Sequence, residues 1–133
     1  MLLTELSFTP KWGNPLFSEL NQMNKSLKLD RLMELVRQYE QDCKNGEDEK
    51  KGWPSTSYGL SKLFVNGITR CYGGYAKEAG KGVLVNCCSP GYVKTDMTSQ
   101  KGGTTTEVGA RTSIWLATLP DGSPIQGSYL AEI

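Results

Sequence analysis

The sequence contains no histidine among its 133 residues. That excludes Ser-His and Cys-His catalytic pairs and removes the commonest side chain of metal sites. Four cysteines are present, Cys43, Cys71, Cys87 and Cys88, but no two stand in a C-x-x-C arrangement. Neither a metal site nor a disulfide framework is expected, and the thiols read as small, reduced groups of a cytoplasmic chain. An excess of one charge is also missing, since fifteen basic residues face fourteen acidic ones. Such a balance gives no footprint for nucleic acid and no polybasic patch for a membrane surface. No apolar run reaches the length of a membrane span. The opening Met1-Leu2-Leu3-Thr4-Glu5 has no basic leader and is broken by Glu5, so it does not read as a signal peptide. Without a secretory signal, Asn24-Lys25-Ser26 reads as a chance match to a glycosylation acceptor.

What is present fits one small domain in which helical and strand patterns alternate. Residues 1–25 read as a turn-rich loop around Pro10 and Trp12-Gly13-Asn14-Pro15, expected to be pinned by Leu16, Phe17 and Leu20. A helix is predicted over 27–44, with Leu29, Leu32, Leu35, Val36 and Tyr39 inward and Glu34, Arg37, Gln38, Gln41 and Asp42 on the polar face. Ser26 is its candidate N-cap and Asn45-Gly46 its stop. The charged connector from Gly46 to Gly52 reads as solvated loop, and Trp53-Pro54 leads into a second helix over 56–79 that Ser55 or Ser57 would cap. Leu60, Leu63, Phe64, Val65, Ile68, Cys71 and Tyr72 cover more than one side of it, so it should be buried on much of its surface. Gly73 and Gly74 leave its end undefined, and Gly67 suits close packing against a strand.

The run Val83 to Cys88 predicts a strand covered on both faces, with Cys87 and Cys88 pointing to opposite sides. Ser89 to Met97 leaves it at the carboxyl end, where open α/β sheets bind ligands. Residues 98–106 are rich in Gly, Thr and Ser and read as mobile. Thr105 should cap a helix over 106–118 with Val108, Trp115, Leu116 and Leu119 inward. A turn at Pro120-Asp121-Gly122-Ser123-Pro124 and a strand over 125–131 complete a right-handed βαβ unit.

The chemistry centres on Ser57-Tyr58-Gly59-Leu60-Ser61-Lys62. Tyr58 and Lys62 stand four residues apart and so share one helix face. A phenol with a pKa of about 10 is a poor acid–base group at neutral pH. A neighbouring ammonium favours the phenolate, so such a pair can pass a proton to or from a carbonyl or hydroxyl oxygen. Spacing alone fits equally an amphipathic helix with a half-buried tyrosine and a solvated lysine.

Gly52-Trp53-Pro54-Ser55 followed by Tyr58-Gly59-Leu60-Ser61-Lys62, then Asn86 and Pro90-Gly91-Tyr92-Val93-Lys94-Thr95-Asp96-Met97, resembles the short-chain dehydrogenase/reductases. Within that superfamily the chain is most similar to the C-terminal half of the monomeric NADPH-dependent carbonyl reductases. The resemblance covers nearly the whole chain, more loosely over its first twenty-five residues. It implies an α/β fold, the C-terminal portion of a Rossmann-like doubly wound parallel sheet. It also implies a single partial domain over 1–133: a loop over 1–25, an inserted helix over 26–46, and the catalytic helix, strand, cofactor loop and last strand over 52–133. That inserted helix covers the surface through which oligomeric relatives associate.

By resemblance, Tyr58 is the proton donor and Lys62 grips the ribose. Pro90, Gly91, Val93, Lys94 and Thr95 hold the cofactor NADPH, and Tyr92 lines the substrate side. No metal is implied. The substrate would be a small aldehyde, ketone or quinone. NADP rather than NAD follows from the family alone.

No G-x-x-x-G-x-G or G-x-G-x-x-G turn occurs in the chain, although a dinucleotide fold needs one to bring backbone amides to the pyrophosphate. The resemblance places that turn, a catalytic serine and a catalytic asparagine in an N-terminal half expected to lie outside this sequence. The strand over 83–88 is then expected to keep an open edge able to self-associate or pair with a partner. The alternatives to an enzyme are a non-catalytic isoform acting through that edge, and a reading frame incomplete at its 5′ end.

Overall fold

A computed structural model describes residues 28–54 and 56–131. The expected N-terminal loop with its apolar pins, the Ser26 and Ser55 caps and the glycosylation match all lie outside these residues. The elements are α1 (Leu29–Lys44), α2 (Ser57–Ala79), β1 (Cys87–Ser89), a short 3-10 turn (Asp96–Thr98), α3 (Thr106–Ala117) and β2 (Tyr129–Ala131). The architecture is α/β, with a two-stranded parallel sheet among the described residues.

α1 buries the face its periodicity predicts. Leu32 and Leu35 are sealed from solvent at 1% and 0% exposure. They pack with Trp53, Leu60, Leu63 and Phe64, and Leu29, Val36 and Tyr39 ring that cluster. Tyr39 meets the Trp53 ring edge-on at 5.2 Å between centroids, a favoured aromatic arrangement. The helix stops at Asn45, and Gly46 takes the left-handed backbone (φ +66°) that a C-terminal cap requires.

Asp42, expected on the polar face of α1, is buried instead. Its carboxylate accepts from the Trp53 indole at 2.8 Å and from Lys51 Nζ at 2.7 Å. An indole N–H sealed in a core needs an acceptor, and Asp42 is placed to supply it. The connector after α1 is accordingly folded rather than free. Glu47 donates its amide to the Asp42 carbonyl, Lys51 to that of Glu47, and Trp53 to that of Asp48. Lys51 Nζ also meets Glu47 at 2.8 Å.

The Lys51 and Trp53 hydrogen bonds hold the Asp42 carboxyl below the usual carboxylate range, and Asp42 followed by Glu47 raises Lys51. Because folding lowers the Asp42 value, the contact contributes fully above the unfolded carboxyl pKa of about 4 and fades as pH falls through the folded one. Because folding raises Lys51, the same contact holds below about pH 10 and fades as pH climbs through the folded lysine value. Thermal unfolding followed by circular dichroism should therefore show an acid limb that Asp42→Asn flattens, since asparagine keeps an acceptor for Trp53 but loses the charge. Identical acid limbs in the two proteins would contradict this.

α2 starts after Thr56, which makes no side-chain cap, and runs through Gly73 and Gly74 to Ala79, ended by Gly80 in the left-handed conformation. Gly73 permits a close approach to the strand segment: a Cβ there would stand 2.6 Å from Gly127 Cα, and Gly67 is buried as well. α2 is less covered than its apolar content predicts. Val65 and Tyr72 are each 48% exposed, and Ile68 39%. They recur at helical spacing along α2.

The strands are shorter than the apolar run predicts, and mostly half-buried. Side-chain amides replace part of the ladder. Gln126 accepts from the Val85 amide at 2.6 Å and donates to the Val83 carbonyl at 2.8 Å. Asn86 donates to the Ile125 carbonyl and accepts from the Ser128 amide, each at 3.0 Å. One backbone bond, from the Gly127 amide to the Val85 carbonyl at 2.9 Å, joins the two segments in this seam. Beyond it β1 and β2 pair with Cys87, Cys88 and Ser89 opposite Tyr129, Leu130 and Ala131.

Cys87 and Cys88 point to opposite faces, as strand alternation requires. Cys87 Sγ lies 3.4 Å from Asn66 Oδ1 on α2, and Cys88 Sγ 3.3 Å from Ser113 Oγ on α3. Helices therefore cover both faces of the sheet, the arrangement expected of the C-terminal portion of a Rossmann-like fold. Burial pushes the Cys87 thiol up, so it is a structural group rather than a ready nucleophile. The Cys87 amide donates toward β2, to Ser128. The N–H and C=O of Cys88 consequently face the other edge of β1, which has no neighbouring strand among the described residues.

Thr105 caps α3 as predicted, its hydroxyl accepting from the Val108 amide at 3.4 Å. The inner face of α3 differs from expectation. Val108 is exposed, Trp115, Leu116 and Leu119 are half-buried, and the fully buried positions are Gly109 and Thr112. The helix lies so close to the loop after β1 that only small side chains fit between them. The Pro120 turn closes through a Ser123 amide bond to the Pro120 carbonyl at 3.1 Å.

Candidate active site

Tyr58 and Lys62 occupy the first two turns of α2, both exposed to solvent. The Lys62 ammonium sits over the Tyr58 ring, 5.5 Å from its centroid. This is the one-turn juxtaposition the spacing predicts, made here as a cation–π contact with the ring face. Ser61 donates to the Tyr58 carbonyl at 2.7 Å, so its hydroxyl serves the helix backbone.

The relation of this pair to the loop follows from how α2 runs against β1. Gly73 of α2 abuts Gly127 and the Val85 carbonyl, while Asn66, two turns earlier, reaches Cys87. The helix thus descends as the strand ascends. At about 1.5 Å per residue, Lys62 lies roughly 6 Å and Tyr58 roughly 12 Å beyond Asn66 along the helix axis. Lys62 and Tyr58 therefore lie on the stretch of α2 that continues past Asn66 toward the carboxyl end of β1. No hydrogen bond joins them to Pro90–Thr95 among the described residues.

The loop itself is ordered by its own contacts. Gly91 takes φ +75° and donates its amide to Ser89 Oγ at 3.2 Å. Thr98 Oγ1 donates to the Val93 carbonyl at 2.7 Å and accepts from the Thr95 amide at 3.0 Å. The Thr95 hydroxyl in turn accepts from the Thr98 amide, completing a reciprocal cap on the 3-10 turn. The Lys94 amide donates to Thr104 and the Thr104 amide to Tyr92, a short parallel bridge. The segment read as mobile over 98–106 is in fact folded back along the loop. The Val93 amide makes no hydrogen bond among the described residues. Tyr92 is 59% exposed on the outer side of the loop.

These groups fit the nicotinamide and ribose end of a dinucleotide. They offer a free backbone donor at Val93, a hydroxyl on Thr95, and an ammonium on Lys62. Nothing among them fits the pyrophosphate, which requires the Gly-rich turn the sequence lacks.

No protein-family model matches the chain. It is 36% identical over 119 residues to human carbonyl reductase [NADPH] 1, covering 86% of this chain and 43% of that protein. It is 41% identical over 104 residues to human carbonyl reductase [NADPH] 3, covering 76% of this chain and 38% of that protein. To the rat carbonyl reductase [NADPH] 3 it is 43% identical over 91 residues, covering 67% and 33%. The chain is homologous to the short-chain dehydrogenase/reductases, an oxidoreductase class with a Rossmann-like sheet. Within that class its homologues are the carbonyl reductases, and it matches their C-terminal part. The chain spans between a third and less than half of the length of these relatives.

Proposed function

We propose that this chain carries the proton-transfer half of an NADPH-dependent carbonyl reductase acting on small aldehydes, ketones or quinones. The observation that supports it best is Tyr58 and Lys62, exposed one turn apart on the stretch of α2 that continues toward the end of β1 from which Pro90–Thr95 emerges. NADPH, when bound, supplies the hydride that reduces the carbonyl carbon. Tyr58 gives its phenolic proton to the carbonyl oxygen, so that the substrate leaves as an alcohol. Lys62 stabilises the resulting phenolate and hydrogen-bonds the ribose hydroxyls. Val93 and Thr95, with Pro90, Gly91 and Lys94 shaping the backbone around them, hold the nicotinamide end, and Tyr92 borders the substrate.

In this reading α1 is the inserted helix that covers an association surface, residues 52–133 are the catalytic portion, and the working enzyme is a cytoplasmic monomer. The α1 packing on α2 supports the first of these.

Two measurements test the reading together. Calorimetric titration of the isolated chain should show no micromolar binding of NADPH, because the chain has no pyrophosphate cradle. Joining it to the N-terminal part of human carbonyl reductase [NADPH] 1 that it does not span should give NADPH oxidation driven by a quinone substrate. A folded chimera without that activity would overturn the reading.

A second reading is favoured by the edge of β1 that has no neighbouring strand among the described residues and by the exposed Val65, Ile68 and Tyr72 on α2. These suit strand addition by a partner or a second copy of the chain. Dilution-dependent mass in sedimentation would support association, and a monomer at every concentration would exclude the second copy.

A further inference from the structure

Val93 lies at the centre of the loop after β1, and two glycines crowd it from behind. A Cβ at Gly109 would stand 2.5 Å from Val93 Cγ2 and 3.4 Å from the Pro90 carbonyl oxygen. A Cβ at Gly102 would collide with the Val93 carbonyl carbon and the Lys94 nitrogen. Neither glycine has positive φ, so neither is required for backbone freedom. Gly109 lies inside α3, where alanine would be the better helix former. Both positions therefore meet one demand, which is space for Val93.

Around this seat several polar groups of the loop are already engaged. The carbonyls of Tyr92 and Val93 and the amides of Lys94 and Thr95 are all bonded within the loop and its returning segment. The amides of Tyr92 and Val93 make no hydrogen bond among the described residues, and the seat fixes the backbone that carries the Val93 donor.

We propose that Gly102 and Gly109 are positioning residues for ligand binding at this loop. They seat Val93 so that its amide is held available to the carbonyl oxygen of a planar amide such as nicotinamide. The ligand half of this proposal rests on the cofactor reading above, whereas the seating does not. Neither glycine touches the ligand, and both act through Val93.

The test uses the full chain in four forms: wild type, Gly109→Ala, Val93→Ala and the double variant. Amide exchange read by NMR at Lys94 and Thr95 reports the seat. In Gly109→Ala it should speed at least about tenfold at those two amides, with α1 unchanged, because opening is local. In the double variant the methyls that the new Cβ strikes are gone, and exchange should return to that of Val93→Ala alone. A merely helical role for Gly109 predicts the opposite sign, a tighter α3 with no change in the loop. Unchanged or slower exchange in Gly109→Ala would overturn the proposal.

If Gly109→Ala does not fold, Val93→Ala alone decides. Emptying the seat should speed exchange at Lys94 and Thr95, and unchanged exchange would overturn the seating. The ligand half is read with millimolar nicotinamide mononucleotide. The Val93 amide resonance should move in wild type, stay still in Gly109→Ala and move again in the double variant. No movement in wild type alongside the expected exchange pattern would overturn the cofactor reading and leave the seating in place.

Discussion

Replacing Tyr58 by phenylalanine is expected to lower turnover of carbonyl reduction by roughly a hundred- to ten-thousand-fold, the worth of a general acid. The measurement is NADPH oxidation by the chimera with human carbonyl reductase [NADPH] 1. The structure makes this a clean substitution. Tyr58 is 72% exposed, and its hydroxyl makes no hydrogen bond among the described residues. Phenylalanine keeps the ring on which the Lys62 ammonium rests. Stability should then change by no more than about 0.5 kcal/mol, as for most exposed substitutions. A loss of rate with unchanged stability isolates the proton. Near-normal turnover in a folded Tyr58→Phe chimera would remove Tyr58 from the reaction.

The largest loss of stability is expected from Leu60→Ala in the isolated chain. Leu60 is 1% exposed and joins Leu32, Leu35, Trp53, Leu63 and Phe64 in one core cluster. Truncating such a leucine removes its transfer free energy and leaves a cavity, together about 2–5 kcal/mol. Small domains hold only about 5–15 kcal/mol in total. The change should therefore pull the urea midpoint far down, or leave the chain unfolded at room temperature. Leu60 stands between Tyr58 and Lys62 in sequence and on the opposite side of the helix. Its anchorage holds the head of α2 against α1 and so fixes where the pair stands. A shift worth less than about 1 kcal/mol would mean that this core collapses around the gap without penalty.

Local rules made several elements legible. The inward face of α1, the Thr105 cap and the opposite facing of Cys87 and Cys88 depend on helical period, one hydroxyl and strand alternation. The sharing of a face by Tyr58 and Lys62 is equally local. What stayed hidden depends on tertiary partners. Asp42 sits at a polar position of α1 by period, and only the Trp53 indole eleven residues later draws it inside. A buried tryptophan in want of an acceptor was the available signal.

The strand lengths were misjudged because Gln126 and Asn86 do with side chains what a ladder does with backbone. Apolar content cannot reveal that substitution. The seat of Val93 was unreadable because Gly102 and Gly109 have no signature apart from the residue they make room for. α2 reads as buried on several sides because Val65, Ile68 and Tyr72 are apolar, yet no described element covers them.

The amide seam between residues 83–86 and 125–128 also sets how the molecule ages. Asn86 uses its nitrogen to donate to the Ile125 carbonyl and its oxygen to accept from Ser128. Deamidation would turn that nitrogen into a second oxygen. Two acceptors would then face each other at the Ile125 carbonyl, and a negative charge would sit in a half-buried site. The same conversion at Gln126 would set a carboxylate oxygen against the Val83 carbonyl, which now accepts a hydrogen bond from the Gln126 amide nitrogen. A backbone ladder carries no such liability, because its amides are not hydrolysed to acids in place. By using side chains beside main chain in this seam, the fold has placed two hydrolysable amides where its two strand segments are joined.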